Sequence, residues 1–356
     1  MRNSPNSCGP PSNASSDPRN GPATPPACLS VRFPLSLLRV NITLADIEDA
    51  RRRLRGFALR TPLVRLTLPD SSHEVGLKLE TLQPIGSFKI RGAGAAMTAA
   101  DPAVLARGVY TASAGNMAQG VAWCARALHV PCTVIVPDHA PATKIAAVER
   151  LGATVIRVPF ERWWQVLVEH SYPGLDGLFV HPVSDPAVIT GNATTALEIL
   201  EDVPDVDTVL VPYGGGGLSC GIALGLRASG STARVIACEV ETAAPLAASL
   251  RAGHASQIEY HPSFVDGIGG RSVLAEMWPL ASTLLSGSVV SSVAQIADSV
   301  RVLAERAHIV AEGAGAASVA AAMSGTVTGK SIVCVISGAN IDLGKLATIL
   351  AGGIPT

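Results

Sequence analysis

Three stretches in the second half of the chain are apolar at nearly every position: "VDTVLVP" from Val206, "ARVIACE" from Ala233 and "SIVCVI" from Ser331. A strand with one wet face alternates apolar and polar residues. A strand that is apolar throughout is covered on both faces, as in parallel sheets flanked by helices. Shorter segments of the same kind precede them: "GLKLE" (76–80), "VYTAS" (109–113), "CTVIVP" (132–137) and "ATVIRV" (153–158). The segments between them read as helices. In "AGNMAQGVAWCARALHV", Met117, Val121, Cys124 and Leu128 share one helical face. "PATKIAAVERLG" has Pro141 at its start and Gly152 at its end. "LSCGIALGLRAS" follows four glycines, and "NITLADIEDARRRLRGF" opens the ordered chain behind a capping Thr43. Alternating strands and helices predict an α/β fold with mostly parallel sheets.

The chain has 356 residues, room for two domains, with 48% hydrophobic and 15% charged residues and a formal net charge of −1. No basic stripe points to nucleic acid, and the one dense cluster, "RRRLR" (51–55), reads as a solvated helix face. Seven cysteines, none in CxxC spacing, fit a reducing compartment rather than a disulfide framework. That points to a cytoplasmic protein. No apolar run approaches the ~20 residues that cross a bilayer, so no membrane contact is expected. Residues 1–36, rich in Pro, Ser, Asn and Gly, lack the apolar core of a signal peptide and are expected to be disordered or an over-long start.

Three loops follow strands and carry glycines or small polar residues: "SAGN" (113–116), "GGGG" (214–217) and "SGAN" (337–340). Ligands in open α/β sheets bind beyond the carboxyl ends of the strands, so these loops can line one pocket. The run "PYGGGGLS" sits between a strand and a helix. Glycines there let successive N–H groups turn toward a phosphate at the helix N-terminus; the alternative is a merely flexible loop. It is not a GxxxxGK[ST] loop and fits GxGxxG poorly, which disfavours ATP and NAD.

Lys89, in "GSFKIRGA", falls in the first turn of a helix if Ser87 is its cap. The helix dipole and burial both disfavour a charged amine there. A partly neutral lysine is a nucleophile toward aldehydes; the alternative is an exposed surface charge. A Schiff-base lysine together with a phosphate cradle suggests pyridoxal 5′-phosphate. The "SAGN" loop then offers N–H donors to a substrate carboxylate, Asn116 a contact to the ring hydroxyl, and Ser337 a neutral partner for the ring nitrogen. A hydroxyl leaves that nitrogen largely unprotonated, which favours elimination over transamination.

"KLETLQPIGSFKIRGA", "SAGNMAQGVAW", "PYGGGGLSCGIA" and "VISGANIDLGKL" stand in the order and spacing of the serine/threonine dehydratase and serine racemase family, which the chain resembles over roughly residues 40 to 350. The resemblance implies a fold type II pyridoxal-phosphate enzyme, with two open, twisted, mostly parallel sheets flanked by helices. The large domain would comprise residues 37–107 and 187–356, the small domain residues 108–186, with the site in the cleft between them. Lys89 would carry the cofactor and Phe88 pack near its ring. Asn116, Glu312 and Ser337 would surround the ring, and Gly214, Gly215, Gly216, Gly217 and Leu218 would hold the phosphate. Ser113, Ala114, Gly115, Met117 and Gly267 would line the substrate side. The implied reaction turns a β-hydroxy α-amino acid into a 2-oxo acid and ammonia, and family members are commonly homodimers.

Four departures bear on specificity. Met117 replaces a histidine, which makes the pocket more apolar and a phenylserine a candidate beside serine and threonine. Ala114 replaces the second serine of the racemases, which disfavours racemisation. Glu239 is present, but Pro245 occupies the likely position of its metal-binding aspartate, so no metal is expected there. Arg271 can pair with an acidic substrate, as in a 3-hydroxyaspartate dehydratase, or be structural. With the sequence ending at Thr356, no C-terminal regulatory domain is expected.

Overall fold

The computed structural model describes residues 41–68 and 74–355; the expectation for residues 1–36 lies outside them. Among the described residues, ten strands form two sheets. The larger takes β1 (Leu63–Leu66), β2 (Glu74–Leu79), β7 (Thr208–Pro212), β8 (Arg234–Val240), β9 (Ser288–Ser291) and β10 (Ser331–Ile336) in the order β1-β2-β10-β7-β8-β9. The smaller takes β3 (Val109–Ala112), β4 (Cys132–Pro137), β5 (Thr154–Val158) and β6 (Leu178–Phe179) in the order β5-β4-β3-β6. All pairings are parallel except β1 with β2, so the α/β, mostly parallel, two-sheet architecture is present as expected.

The apolar strands are buried on both sides. Ile332, Cys334 and Ile336 of β10 join one core with Leu77, Leu210, Val300, Ala316 and Val319. Val333 and Val335, between them in sequence, join the opposite core with Val209, Val211, Ile222 and Leu226. Each side chain of the strand thus meets a helix layer, which is why no polar alternation appears. The small sheet does the same: Val134 and Val136 face one cluster and Ile135 the other. No described helix is long and apolar enough to cross a membrane.

The helix Pro186–Asp202 forms the centre of the large layer. Asp185 caps it by accepting from the N–H groups of Ala187 and Val188, and Pro186 occupies its first turn. It packs so closely on the helix Lys89–Ala99 that a Cβ at Gly191 would overlap the Arg91 carbonyl. Beneath this contact lies a fully buried charge network. The Arg91 guanidinium donates to both oxygens of Glu80 at 2.8 Å and to both oxygens of Glu198 at 2.7 and 2.8 Å. Lys78 Nζ donates to Glu198 and to the Thr61 carbonyl, both at 2.6 Å. Burial opposes the Arg91 charge, but the two carboxylates outweigh it and hold the proton firmly. The network ties β2, the helix carrying Lys89 and the helix Pro186–Asp202 into one unit.

Candidate active site

Lys89 is the first residue of its helix. Ser87 is fully buried, but its hydroxyl lies 3.4 Å from the Lys89 N–H, and the capping position is Phe88 without a side-chain bond. Lys89 Nζ donates to the Pro182 carbonyl at 2.8 Å and lies 5.1 Å from the centre of the Phe88 ring. Burial pulls the amine down to about 8, against the opposing pull of Glu312. About a tenth of the amine is then neutral at pH 7, far more than for an ordinary lysine, and neutral is the state a nucleophilic lysine requires.

Pro182 leads to the glycine run. A Cβ at Gly215 would lie 2.6 Å from Val183 Cγ2, and one at Gly217 only 2.7 Å from the Val183 carbonyl. Gly216 has φ +96°, a left-handed conformation that suits glycine, and precedes the helix Gly217–Ala228. The first N–H groups of that helix have no intrahelical acceptor. Beside Gly216 lies the buried Tyr213 hydroxyl, without a hydrogen-bond partner among the described residues. This narrow, donor-rich cradle fits a phosphate, and any larger residue at Gly215 or Gly217 would fill or distort it. Leu218 sends its side chain into the core, so it offers the cradle its N–H.

The other two loops close the site. Phe88 N–H donates to the Ser337 carbonyl at 3.1 Å, and Ser87 bridges Gly338. Asn340 Nδ2 donates to Asn116 Oδ1 at 2.7 Å, and Asn116 Nδ2 donates to Glu312 Oε1 at 2.8 Å. The Asn116 amide is therefore held with its oxygen occupied and one Nδ2 proton without a described partner. Glu312 sits among Gly267, Gly338 and Ala314. Burial, then Asp266, push its carboxyl up to about 7, while Asn116, Lys144 and Lys89 oppose them. Ser337 is buried at the end of β10.

Ser113, Ala114, Gly115 and Asn116 are half-buried at the start of the helix Asn116–Leu128. The Ser113 hydroxyl accepts from Gly115 N–H at 3.2 Å. Met117 differs from its neighbours: its side chain is buried in the core with Ile85, Ile90 and Val121. It offers the loop a helix N-terminal N–H, and its thioether is occupied in packing. Gly267 lies against Glu312 and Gly214.

Two further expected positions lie apart from this cluster in function. Glu239 is buried and accepts from the N–H groups of Leu246 and Ala247, both at 2.8 Å, and from the Ser288 hydroxyl at 2.5 Å. Its carboxylate thus caps the helix Pro245–Ala252. Arg271 is exposed, its carbonyl accepts from Ile258 N–H at 2.8 Å, and its guanidinium makes no ion pair among the described residues.

Sequence reasoning passed over His181. Its Nδ1 accepts from the N–H groups of Val183 at 3.2 Å and Ser184 at 2.9 Å, which shapes the turn that presents the Pro182 carbonyl to Lys89. Burial, with His170 and Lys89, pulls the ring down to about 3, so it is neutral with its proton on Nε2. His170, His181 and Glu276 bring ligand-type atoms within 4.8 Å of one another. His181 nevertheless has one nitrogen engaged and the other protonated, which is unsuited to a metal. The signal in "VHPVSDP" was a histidine just ahead of a turn and a helix cap.

A half-buried lysine beside a glycine cradle, at the carboxyl ends of parallel strands, defines a pyridoxal-phosphate site. Residues 54–338 match the family described as pyridoxal-phosphate dependent enzyme, and the chain belongs to it. Its cofactor is pyridoxal 5′-phosphate. The chain is 39% identical to the L-threonine ammonia-lyase of Thermotoga maritima over 88% of its own length and 79% of the relative's. Among solved structures it is similar to the processed form of threonine deaminase isoform 2 from Solanum lycopersicum, with a TM-score of 0.79, 30% identity and 87% of each chain covered. It is also similar to maize serine racemase, with a TM-score of 0.78, 30% identity, and 87% and 97% of the two chains covered.

Proposed function

We propose that the chain is an ammonia-lyase that converts threonine or serine to the corresponding 2-oxo acid and ammonia. The observation that carries this reading is the place of Lys89: a half-buried amine that donates to the Pro182 carbonyl, next to Val183, against which the glycine cradle packs. The threonine ammonia-lyase and threonine deaminase relatives support it.

Bound pyridoxal phosphate supplies an electron sink that makes the substrate α-proton removable. The residues around it bind, orient and move protons. The N–H groups of Gly214, Gly215, Gly216, Gly217 and Leu218 would hold the phosphate. Phe88, Asn116 and Ser337 would surround the ring: Phe88 as an apolar neighbour, Asn116 with the Nδ2 proton that Glu312 leaves free, and Ser337 with a neutral hydroxyl. The Ser113–Met117 loop receives the substrate carboxylate on its N–H groups, with Gly267 on the opposite wall. The Lys89 amine accepts the α-proton as the C–O bond breaks, and a proton given back from the Lys89 ammonium lets the β-hydroxyl depart as water. The released enamine hydrolyses to the 2-oxo acid and ammonia, which balances the reaction.

Ala114 supports elimination over racemisation, because it places no hydroxyl in the loop, and the Ser113 hydroxyl is engaged with Gly115. Glu239 is committed to a helix cap, which supports a reaction without a cation there. The core position of Met117 removes the reason to favour a phenylserine, and exposed Arg271 lends no support to a 3-hydroxyaspartate. We extend the proposal to a large domain of residues 37–107 and 187–356 and a small domain of residues 108–186, each built on one sheet. We also propose a homodimer, the exposed Leu59 and Leu82 being apolar surface that a second copy would cover. The five described cysteines, all buried free thiols, suit the cytoplasm.

The test is a screen of serine, threonine, threo-phenylserine and 3-hydroxyaspartate, each with and without a chelator. It should give 2-oxo acid from threonine and serine in both conditions, with recovered substrate of unchanged chirality. Racemised substrate without 2-oxo acid would overturn the reading.

A further inference from the structure

The turn Asp266–Ile268 lies between β8 and β9 of the large sheet, and the helix Ala142–Glu149 lies between β4 and β5 of the small one. One ion pair joins them: Lys144 Nζ to Asp266 Oδ2 at 2.6 Å. Both side chains are partly exposed, at 32% and 47%. A pair of this exposure is weak enough to open and close. Gly267, the next residue of the turn, borders the Glu312 carboxylate and Gly214 of the cradle: a Cβ added at Gly267 would lie 3.4 Å from Glu312 Oε1, and one added at Gly214 would lie 3.4 Å from the Gly267 carbonyl. Glu312 in turn holds the Asn116 amide.

We propose that Lys144 and Asp266 are positioning residues: their ion pair clasps the Gly267 turn against Glu312 and so fixes the face that Asn116 turns toward the site. The consequence for catalysis rests on the ammonia-lyase reading above; the clasp does not. The contacts run in one direction. Lys144 reaches across from the small sheet, Asp266 carries the turn, Gly267 covers one side of Glu312, and Gly338 covers another. The charged and polar groups facing Glu312 come from four elements: Lys89, Asn116, Lys144 and Asp266. Asp266 favours the protonated carboxyl, whereas Lys144 and Lys89 favour the carboxylate. An ionised Glu312 only accepts, so it keeps Asn116 Nδ2 turned toward itself. A protonated Glu312 competes as a donor and loosens that orientation.

The test uses the cofactor-loaded enzyme and two readouts independent of turnover. Amide exchange follows the peptide carrying residues 264–270, and carbon-13 NMR follows the Glu312 carboxyl titration. Lys144→Met should speed exchange in that peptide and raise the Glu312 midpoint by about half a pH unit, the scale of a partly exposed neighbouring charge. Asp266→Asn should also speed exchange but lower the midpoint. The swapped variant, Lys144→Asp with Asp266→Lys, should return exchange toward the wild-type rate. A merely structural role of either residue would not give opposite midpoint shifts or recovery on swapping. Unchanged exchange in both single variants, or a swapped variant exchanging as fast as they do, would overturn the clasp. Failure of the ammonia-lyase reading shows separately, as a wild-type enzyme that makes no 2-oxo acid.

Discussion

Replacing Arg91 by methionine leaves a shape of similar length but removes the cation that faces Glu80 and Glu198. Arg91 makes four charge-assisted hydrogen bonds to these carboxylates, and all three side chains are almost wholly buried. Breaking a buried network by removing one partner costs about 3–5 kcal/mol, because the remaining charge stays out of water. After the substitution, Lys78 alone faces two carboxylates. Folded proteins are stable by only about 5–15 kcal/mol, so the variant should lose a large share of its margin. Adding Glu80→Gln rebalances the charge as one lysine with one glutamate. The double variant should therefore lose much less than the sum of the two single losses, a coupling of the kind a cycle measures between touching residues. The sign with pH also follows. The uncompensated carboxylate in Arg91→Met has its folded pKa raised, so the variant's deficit is smallest in acid and grows as pH rises through the carboxylate range. Urea midpoints of the four proteins at two pH values decide it. A loss below about 1 kcal/mol for Arg91→Met, or additive losses in the double variant, would refute the view that this network anchors the helix bearing Lys89.

Gly217→Ala drives a Cβ into the Val183 backbone carbonyl, which cannot rotate away. We expect cofactor affinity to fall at least about tenfold, equivalent to ~1.4 kcal/mol, measured by equilibrium binding to the cofactor-free protein. Lys89 has its folded pKa depressed to about 8, so the cost of burying its charge is fully present below that value and is relieved as pH rises beyond it. Lys89→Met should therefore raise the melting temperature of the cofactor-free protein below about pH 8, with the gain fading above it. Glu312→Gln preserves an oxygen for Asn116 but cannot ionise. The wild-type kcat/KM profile should fall off on the acid side near 7 and the Glu312→Gln profile should not; a limb unchanged by the substitution would assign it to another group.

The parts of this fold that can be read in advance are those where both faces of a strand are covered. β7, β8 and β10 declare themselves because Ile332, Val333 and Cys334 each meet a helix layer. The edge strands β1 and β9 carry "LVRL" and "SVVS", which have no comparable signature. At the site, short motifs reveal the residues whose chemistry lies in their own backbone, such as the glycine run, or in one reactive atom, such as Lys89. What stays hidden is pairing across the chain. Lys144 and Asp266 are 122 residues apart, and Arg91 and Glu198 are 107 apart. Met117 shows the complementary difficulty: its place in the loop is legible, but only the packed structure shows that its side chain turns into the core.

In the proposed reaction, Lys89 is the amine that carries the cofactor and moves the α-proton. Its most direct test follows release of 2-oxo acid and ammonia from threonine, comparing the wild-type enzyme with Lys89→Ala, both loaded with pyridoxal phosphate. Stoichiometric 2-oxo acid and ammonia from the wild type, with none above background from Lys89→Ala, is the predicted result. Product formation by Lys89→Ala at a comparable rate would contradict it.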